Sequence, residues 1–258
     1  MKIIIPMSGT GSRFIAAGYS TYKPLIEMHG KPVIEHVTDL FPGENDFVFI
    51  CREDHLAETP LEKILKKLKP GCIIVPIQGH KLGPVYTVSK AYDYIDDNEP
   101  VITNYCDFFM QWNYQDFKST ILKTGCEGAI PCYTGFHPHL LHKKNLYAGC
   151  LPGNNMMLKE ITEKFSYSTD KSKAYHSAGT YYFKSGALVK KYFDMLMDEK
   201  IDLNGEYYIS LVYNLLCRDG LDTLIYDKIK TFCQWGTPED MEEYNTWSDI
   251  FKTFSQAK

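Results

Sequence analysis

KIIIPMSGTGSRF (residues 2–14) joins an apolar, β-branched run to two closely spaced glycines, three hydroxyl residues and an arginine. The run is too short for a helix and reads as a strand that ends at Met7. Ser8, Gly9, Thr10, Gly11 and Ser12 then leave several backbone N–H groups unshielded, a concavity suited to phosphate oxygens. Arg13 adds a guanidinium fork that binds phosphate through two parallel hydrogen bonds. This is not a P-loop, because no Gly-Lys-Ser/Thr follows, and Arg13 or its neighbours stand where the dinucleotide fingerprint needs a third glycine.

The same kind of short apolar run recurs in DFVFIC (46–51), CIIVPI (72–77), PVITNY (100–105) and GAIPCY (128–133). Between them lie VIEHVTDLF, PLEKILKKL, VYTVSKAYDYI and residues 114–122, each with apolar residues at helical spacing. Strand alternating with helix predicts an α/β fold, a doubly wound and mostly parallel sheet covered on both faces. Ligands bind at the carboxyl ends of such strands, here GTGSRF, Gln78, Asp107 and Cys132. After residue 140, KNLYAG, MMLKEITEK and AYHSAGTYYF read as shorter strands of a small antiparallel extension. Helices are expected over 185–196 and 206–216, a strand over 223–226 and a last helix over 239–247. With no linker or repeat, residues 1–258 are expected to form one domain.

The chain has 258 residues, 44% hydrophobic and 23% charged, with a formal charge of −4. That balance offers no general attraction to nucleic acid, so an anionic ligand must be held by local basic groups. No apolar run approaches the roughly 20 residues that span a bilayer, and Pro6 interrupts the only leader-like stretch. No membrane association and a cytoplasmic setting are expected. The eight cysteines are scattered, without CxxC or zinc-like spacing, which fits a reducing compartment. The oligomeric state is left open, a homo-oligomer included.

YKPLIEMHGKPVIEHV (22–37) is the second informative stretch. Lys23 precedes a proline and is expected in an extended segment, followed by a hairpin-like turn into a helix with Pro32 in its first turn. GTGSRF followed by KPLIEMHGKPVIEHV resembles the signature of the nucleotidyltransferases that make nucleotide sugars and related activated compounds. Tyr22 departs from it, standing where that family usually has proline. The resemblance continues in QGHKLGPVYTVSKA (78–91), NYCDFF (104–109), ITEK (161–164), SAGTYYF (177–183) and WGTPEDMEEY (235–244), across nearly the whole chain.

The resemblance implies a glycosyltransferase-A-like sheet and transfer of a nucleotidyl group from a nucleoside triphosphate to a phosphorylated small molecule, with release of pyrophosphate. It implies that Met7, Ser8, Gly9, Thr10, Gly11 and Ser12 bind nucleotide, that Arg13 and Lys23 are catalytic, and that Gln78 and the Gly83 backbone read a base, with a pyrimidine favoured. Asp107 would hold Mg²⁺, while Glu163, Lys164, Gly179 and Thr180 would bind the acceptor, in the setting of surface glycan or capsule precursor synthesis. Gln234 departs from the aspartate that many relatives carry as a second metal ligand, so Asp107 with phosphate oxygens, or Glu206 in addition, would hold the ion. Read without the resemblance, Asp107 is also a plain helix cap, Glu163 and Lys164 an exposed ion pair, and Asn204 and Glu206 the cap and first turn of a helix. The three histidines of CYTGFHPHLLH (132–142) lack zinc spacing and suit a loop over the acceptor pocket. Two other readings remain: a glycosyltransferase using a nucleotide sugar, or a non-catalytic nucleotide-sugar-binding subunit. CDFF holds one aspartate where such glycosyltransferases carry Asp-x-Asp, and Arg13, Lys23 and Asp107 together speak against the second.

Overall fold

In the computed structural model, which describes residues 1–256, the first half alternates strands and helices. The elements are β1 (Lys2–Met7), α1 (Ser12–Ala16), β2 (Glu27–Met28), β3 (Lys31–Pro32), α2 (Val33–Asp39), β4 (Phe47–Arg52), α3 (Glu53–Glu58), α4 (Leu61–Leu68), β5 (Ile73–Ile77), α5 (Gly83–Ser89), β6 (Val101–Asn104), β7 (Phe108–Gln111), α6 (Tyr114–Thr124) and β8 (Gly128–Tyr133). The second half adds β9 (Gly149–Pro152), β10 (Leu158–Thr162), β11 (Tyr175–Ser177), β12 (Thr180–Phe183), α7 (Gly186–Asp198), α8 (Ile209–Arg218), β13 (Thr223–Ile229), β14 (Thr231–Gln234) and α9 (Pro238–Gln256).

One mixed sheet runs in the order β10-β9-β11-β8-β12-β6-β1-β4-β5, with β13 also paired to β8. β6, β1, β4 and β5 are mutually parallel, whereas β12 is antiparallel to both β6 and β8. Alternate residues of β1 enter two separate cores, as the two-residue repeat of a strand demands. Ile3, Ile5 and Met7 pack with Val33, Val37, Leu65 and Phe117 of α2, α4 and α6. Ile4 packs on the other face with Val85, Val88, Val189 and Val212 of α5, α7 and α8. A strand buried on both faces has no polar positions to spare, which is why it reads as an unbroken apolar run.

Several elements differ from expectation. The antiparallel strands extend the main sheet through β12, and of KNLYAG only Gly149 lies in a strand. The helix expected over 85–95 stops at Ser89 and resumes as a 3-10 turn at Tyr92–Tyr94. The helix expected from residue 206 starts at Ile209, because Asn204 and Gly205 both take left-handed backbone (φ 56° and 80°) in a turn closed by the Gly205 N–H on Asp202. Asn204 is therefore not the cap of that helix, nor does Glu206 lie in its first turn; Tyr208 holds the N-cap position. Lys23 is not extended but opens a 3-10 turn, Lys23–Leu25, which Pro24 and Leu25 anchor by burial. Pro32 caps α2 from outside its first turn, after the β2–β3 hairpin. α9 runs on to Gln256, well beyond Trp247.

Candidate active site

β1 delivers the chain to the carboxyl edge of the sheet at Met7, and the turn that follows is held open by backbone geometry. Gly11 is left-handed (φ 66°) immediately before α1, a conformation that a side chain would strain. The buried ring of Phe14 pins this short helix, while Arg13 stays exposed on the other side. Tyr22 ties the second motif to the first, its hydroxyl donating to the Met7 carbonyl at 2.7 Å. Burial raises the Tyr22 pKa well above the usual value, so the phenol keeps that proton.

Lys23 and Asp107, 84 positions apart in the chain, meet at Nζ–Oδ2 2.7 Å. Asp107 follows β6 by three residues, and Trp235 donates its backbone N–H to the Asp107 carbonyl at 3.0 Å. At Gly236 an added Cβ would stand 3.3 Å from Asp107 Oδ2, so glycine keeps the carboxylate uncrowded.

Two adjoining cavities, each about 360 Å³, open on this pair. Ser8, Gly9, Thr10, Gly11, Ser12, Arg13 and Lys23 line the first, closed on its far side by His80, Lys81, Gly83 and Pro84. The second is lined by Glu163, Lys164, Gly179 and the rings of Phe108, Tyr147, Tyr181 and Phe232. Arg13, Tyr105, Asp107, Glu206, Tyr208 and Gly236 line both. Two occupants would thus meet between Arg13 and Asp107.

Four expected residues stand elsewhere. Gln78 is exposed and donates its amide to Glu53, away from the cavity lining, and His80, Lys81, Gly83 and Pro84 form that wall without it. Thr180 is fully buried in β12 and donates to the Asn104 side chain, a strand-to-strand bond rather than a cavity contact. Met7 packs in the core and offers only its carbonyl, already taken by Tyr22. Cys132 is likewise buried within β8.

Two residues that the sequence offered only as alternatives have defined places at the site. Glu206 lines both cavities and accepts from the Tyr208 hydroxyl, to which Lys164 donates at 3.0 Å. The sequence offered Glu206 as a first-turn helix residue or as an added metal ligand, and the left-handed Asn204–Gly205 backbone removes the first of these. Gln234, at the metal position of relatives, lines the second cavity but gives its amide to the buried Asp240. Glu163 accepts from the Ser210 hydroxyl, and burial raises its pKa, with Glu206 adding to the rise and Lys164 opposing it. It is not an exposed ion pair.

Among the described residues no group of three or more His, Cys, Asp or Glu side chains is arranged to hold a metal. Asp107 alone still suits Mg²⁺, which is commonly bound through one or two carboxylates, waters and substrate phosphates. The histidine loop is structural. His139 is 2.8 Å from the Tyr133 hydroxyl, and His137 accepts the Phe232 N–H at 3.2 Å. Burial and neighbouring histidines pull the His139 pKa down to about 3, and burial lowers those of His137 and His176. The folded chain keeps these rings neutral to lower pH than the unfolded chain, in which they protonate near 6.5. The unfolded chain therefore gains protons first as pH falls, and stability should drop from about pH 6.5 downward. Thermal midpoints that stay level between pH 7.5 and 5, a window above most carboxylate titration, would contradict this.

A glycine-rich turn at the carboxyl end of a central strand, with a Lys–Asp pair between two cavities, marks the chain as a nucleotidyltransferase-type α/β protein. It belongs to the MobA-like NTP transferase domain family, which matches residues 3–155. It is 24% identical over 227 residues to the bifunctional protein GlmU of Staphylococcus epidermidis, covering 86% of this chain and 47% of that protein. The chain thus spans about half the length of the curated relatives it matches. Among solved structures it is similar to a nucleoside-diphosphate-sugar pyrophosphorylase from Vibrio cholerae RC9 (TM-score 0.77, 20% identity, 94% of this chain and 98% of that one). UDP-glucose pyrophosphorylase complexed with UDP-glucose superposes with TM-score 0.72 at 16% identity, over 96% of this chain and 98% of that one. The inositol-1-phosphate CTP transferase of T. maritima gives 0.65 at 15%, over 93% and 90%. No helix among the described residues is long and apolar enough to cross a membrane.

Proposed function

We propose that the protein transfers a nucleotidyl group from a nucleoside triphosphate to a phosphorylated small molecule such as a sugar 1-phosphate. The observation that carries this is the pair of adjoining cavities that share Arg13 and Asp107, with Lys23 at their junction. An oxygen of the acceptor phosphate attacks the α-phosphorus; the new P–O bond forms as the bond to pyrophosphate breaks. That oxygen already carries negative charge, so no general base is required. Catalysis is then positioning and charge neutralisation. The Gly9–Ser12 turn and Arg13 hold the triphosphate, Lys23 neutralises charge at the reacting phosphate, and Lys164 with Glu163 and Gly179 orients the acceptor. Mg²⁺ held by Asp107 and phosphate oxygens would supply further charge neutralisation when bound.

The triphosphate is proposed to be a pyrimidine one, a reading supported by the names of two proteins of similar fold, which specify CTP and UDP-glucose. A role in the cytoplasm, in surface glycan or capsule precursor synthesis, is proposed on the family resemblance. The whole chain acts as one nucleotidyltransferase domain. The deciding experiment incubates the protein with Mg²⁺, each nucleoside triphosphate in turn and a panel of phosphorylated acceptors, and reads pyrophosphate. Release that requires both substrates supports the reading; none with any pairing removes it.

Lys164→Ala should raise KM for the acceptor by about tenfold while leaving KM for the triphosphate near its wild-type value, the scale of one charge-assisted hydrogen bond. Equal effects on both substrates would take Lys164 out of the acceptor cavity.

A further inference from the structure

The nucleotide cavity runs from the glycine turn, Arg13 and Lys23 to His80, Lys81, Gly83 and Pro84, and Ser8, the first residue of that turn, is joined to the His80 side through Thr87. A base lies at the His80 end if the phosphates lie at the Arg13 end. With Gln78 committed to Glu53, it needs another reader.

Ser8 carries the side chain for it. It is only 9% exposed, lines the cavity, and its hydroxyl lies 2.6 Å from that of the fully buried Thr87. The Thr87 hydroxyl donates to the Gly83 carbonyl at 3.0 Å and lies 3.2 Å from His80 Nε2. His80 Nδ1 accepts the Leu82 N–H at 3.1 Å, which requires that nitrogen to be unprotonated. The neutral ring therefore carries its proton on Nε2 and donates it to Thr87. Burial, with Lys90 and Arg52 nearby, lowers the His80 pKa and favours that neutral form.

The loop that fixes these directions is itself clamped. Val85 donates to the Tyr207 carbonyl at 3.1 Å, and Tyr207 donates to the Leu82 carbonyl at 2.9 Å. Gly83, left-handed at φ 86°, comes so close that an added Cβ would stand 2.7 Å from Tyr207 N.

Thr87 has one proton and two lone pairs. With the proton on Gly83 and one lone pair on His80, the other receives the Ser8 proton. Ser8 then turns its own lone pairs toward the cavity. We propose that Ser8 Oγ is an acceptor that reads an N–H on the edge of a pyrimidine base, and that Thr87 and His80 are positioning residues that set its polarity. This rests on the nucleotide-binding part of the function proposed above.

The test measures binding by calorimetry, not turnover. Wild type, Ser8→Ala, Thr87→Val and Gln78→Ala are titrated with UTP, CTP and their edge-blocked analogues, N3-methyluridine and N4,N4-dimethylcytidine triphosphates. Wild type should bind its preferred triphosphate about tenfold tighter than the blocked analogue, the effect of one well-placed hydrogen bond. Ser8→Ala and Thr87→Val should bring that ratio close to one, Thr87→Ser should restore it, and Gln78→Ala should leave it unchanged. A wild-type ratio retained in Ser8→Ala, or lost in Gln78→Ala alone, overturns the proposal, and Ser8→Ala decides the matter should Thr87→Val fail to fold. Nucleotide binding with the expected ratios but no pyrophosphate release would remove the transfer reading and keep this one; no binding of any triphosphate would remove both.

Discussion

Asp107→Asn should reduce kcat/KM by on the order of 10³-fold, the upper scale for removing one preorganised charged group from a transition state. The reason lies in what the amide lacks. It is isosteric and still hydrogen-bonds, but it cannot hold a hard dication against water as a carboxylate does. Among the described residues no cluster of three carboxylates, cysteines or histidines stands ready to replace it. Gln234, the nearest substitute by position, has its amide on Asp240. Mg²⁺ needed for half-maximal rate should rise with the substitution, and excess Mg²⁺ should recover part of the loss. In the ligand-free protein the same change leaves Lys23, 15% exposed, without its ionic partner, at a cost of about 1 kcal/mol. Near-wild-type turnover at limiting Mg²⁺ would remove Asp107 from the metal site, whatever happened to the thermal midpoint.

The parts of this molecule that local patterning dictates were readable in advance. β1, β4, β6 and β8 fall where the apolar runs stand, because strands buried on both faces have no other composition open to them, and the edge strand β5 follows the same pattern though half-buried. The glycine turn was readable because Gly11 needs a left-handed backbone that few other residues tolerate. What escaped depends on contacts distant in sequence. Gln78 looks like a base reader until Glu53, 25 positions away, is seen to take its amide. Glu206 looks like a first-turn helix residue until the left-handed Asn204–Gly205 turn delays α8 and aims the carboxylate at both cavities. Tyr22, which breaks the family pattern, turns out to bridge the two motifs through the Met7 carbonyl. Proline there would have stiffened the turn without making that bond.

Lys23→Ala should lower kcat/KM by at least about 10²-fold, chiefly through kcat, since its ammonium is assigned to charge that develops in the transition state. The ligand-free ion pair raises a rival account, in which Lys23 only holds Asp107 in place. The two accounts part in the double variant. If Lys23 merely positions Asp107, then in an Asp107→Asn background its removal has nothing left to disturb, and Lys23→Ala should cost no further activity. If it acts on the phosphate itself, the second loss should persist at saturating Mg²⁺, reduced only by whatever coupling the pair shares. Stability supplies an independent check. Each single variant strands one charge of a pair whose members are 15% and 31% exposed, and the double variant strands neither, so its thermal midpoint should exceed that of at least one single variant. Rate measurements on the four proteins at saturating Mg²⁺ decide between the accounts: additive losses assign Lys23 to the reacting phosphate, and complete non-additivity makes it a positioning residue for Asp107.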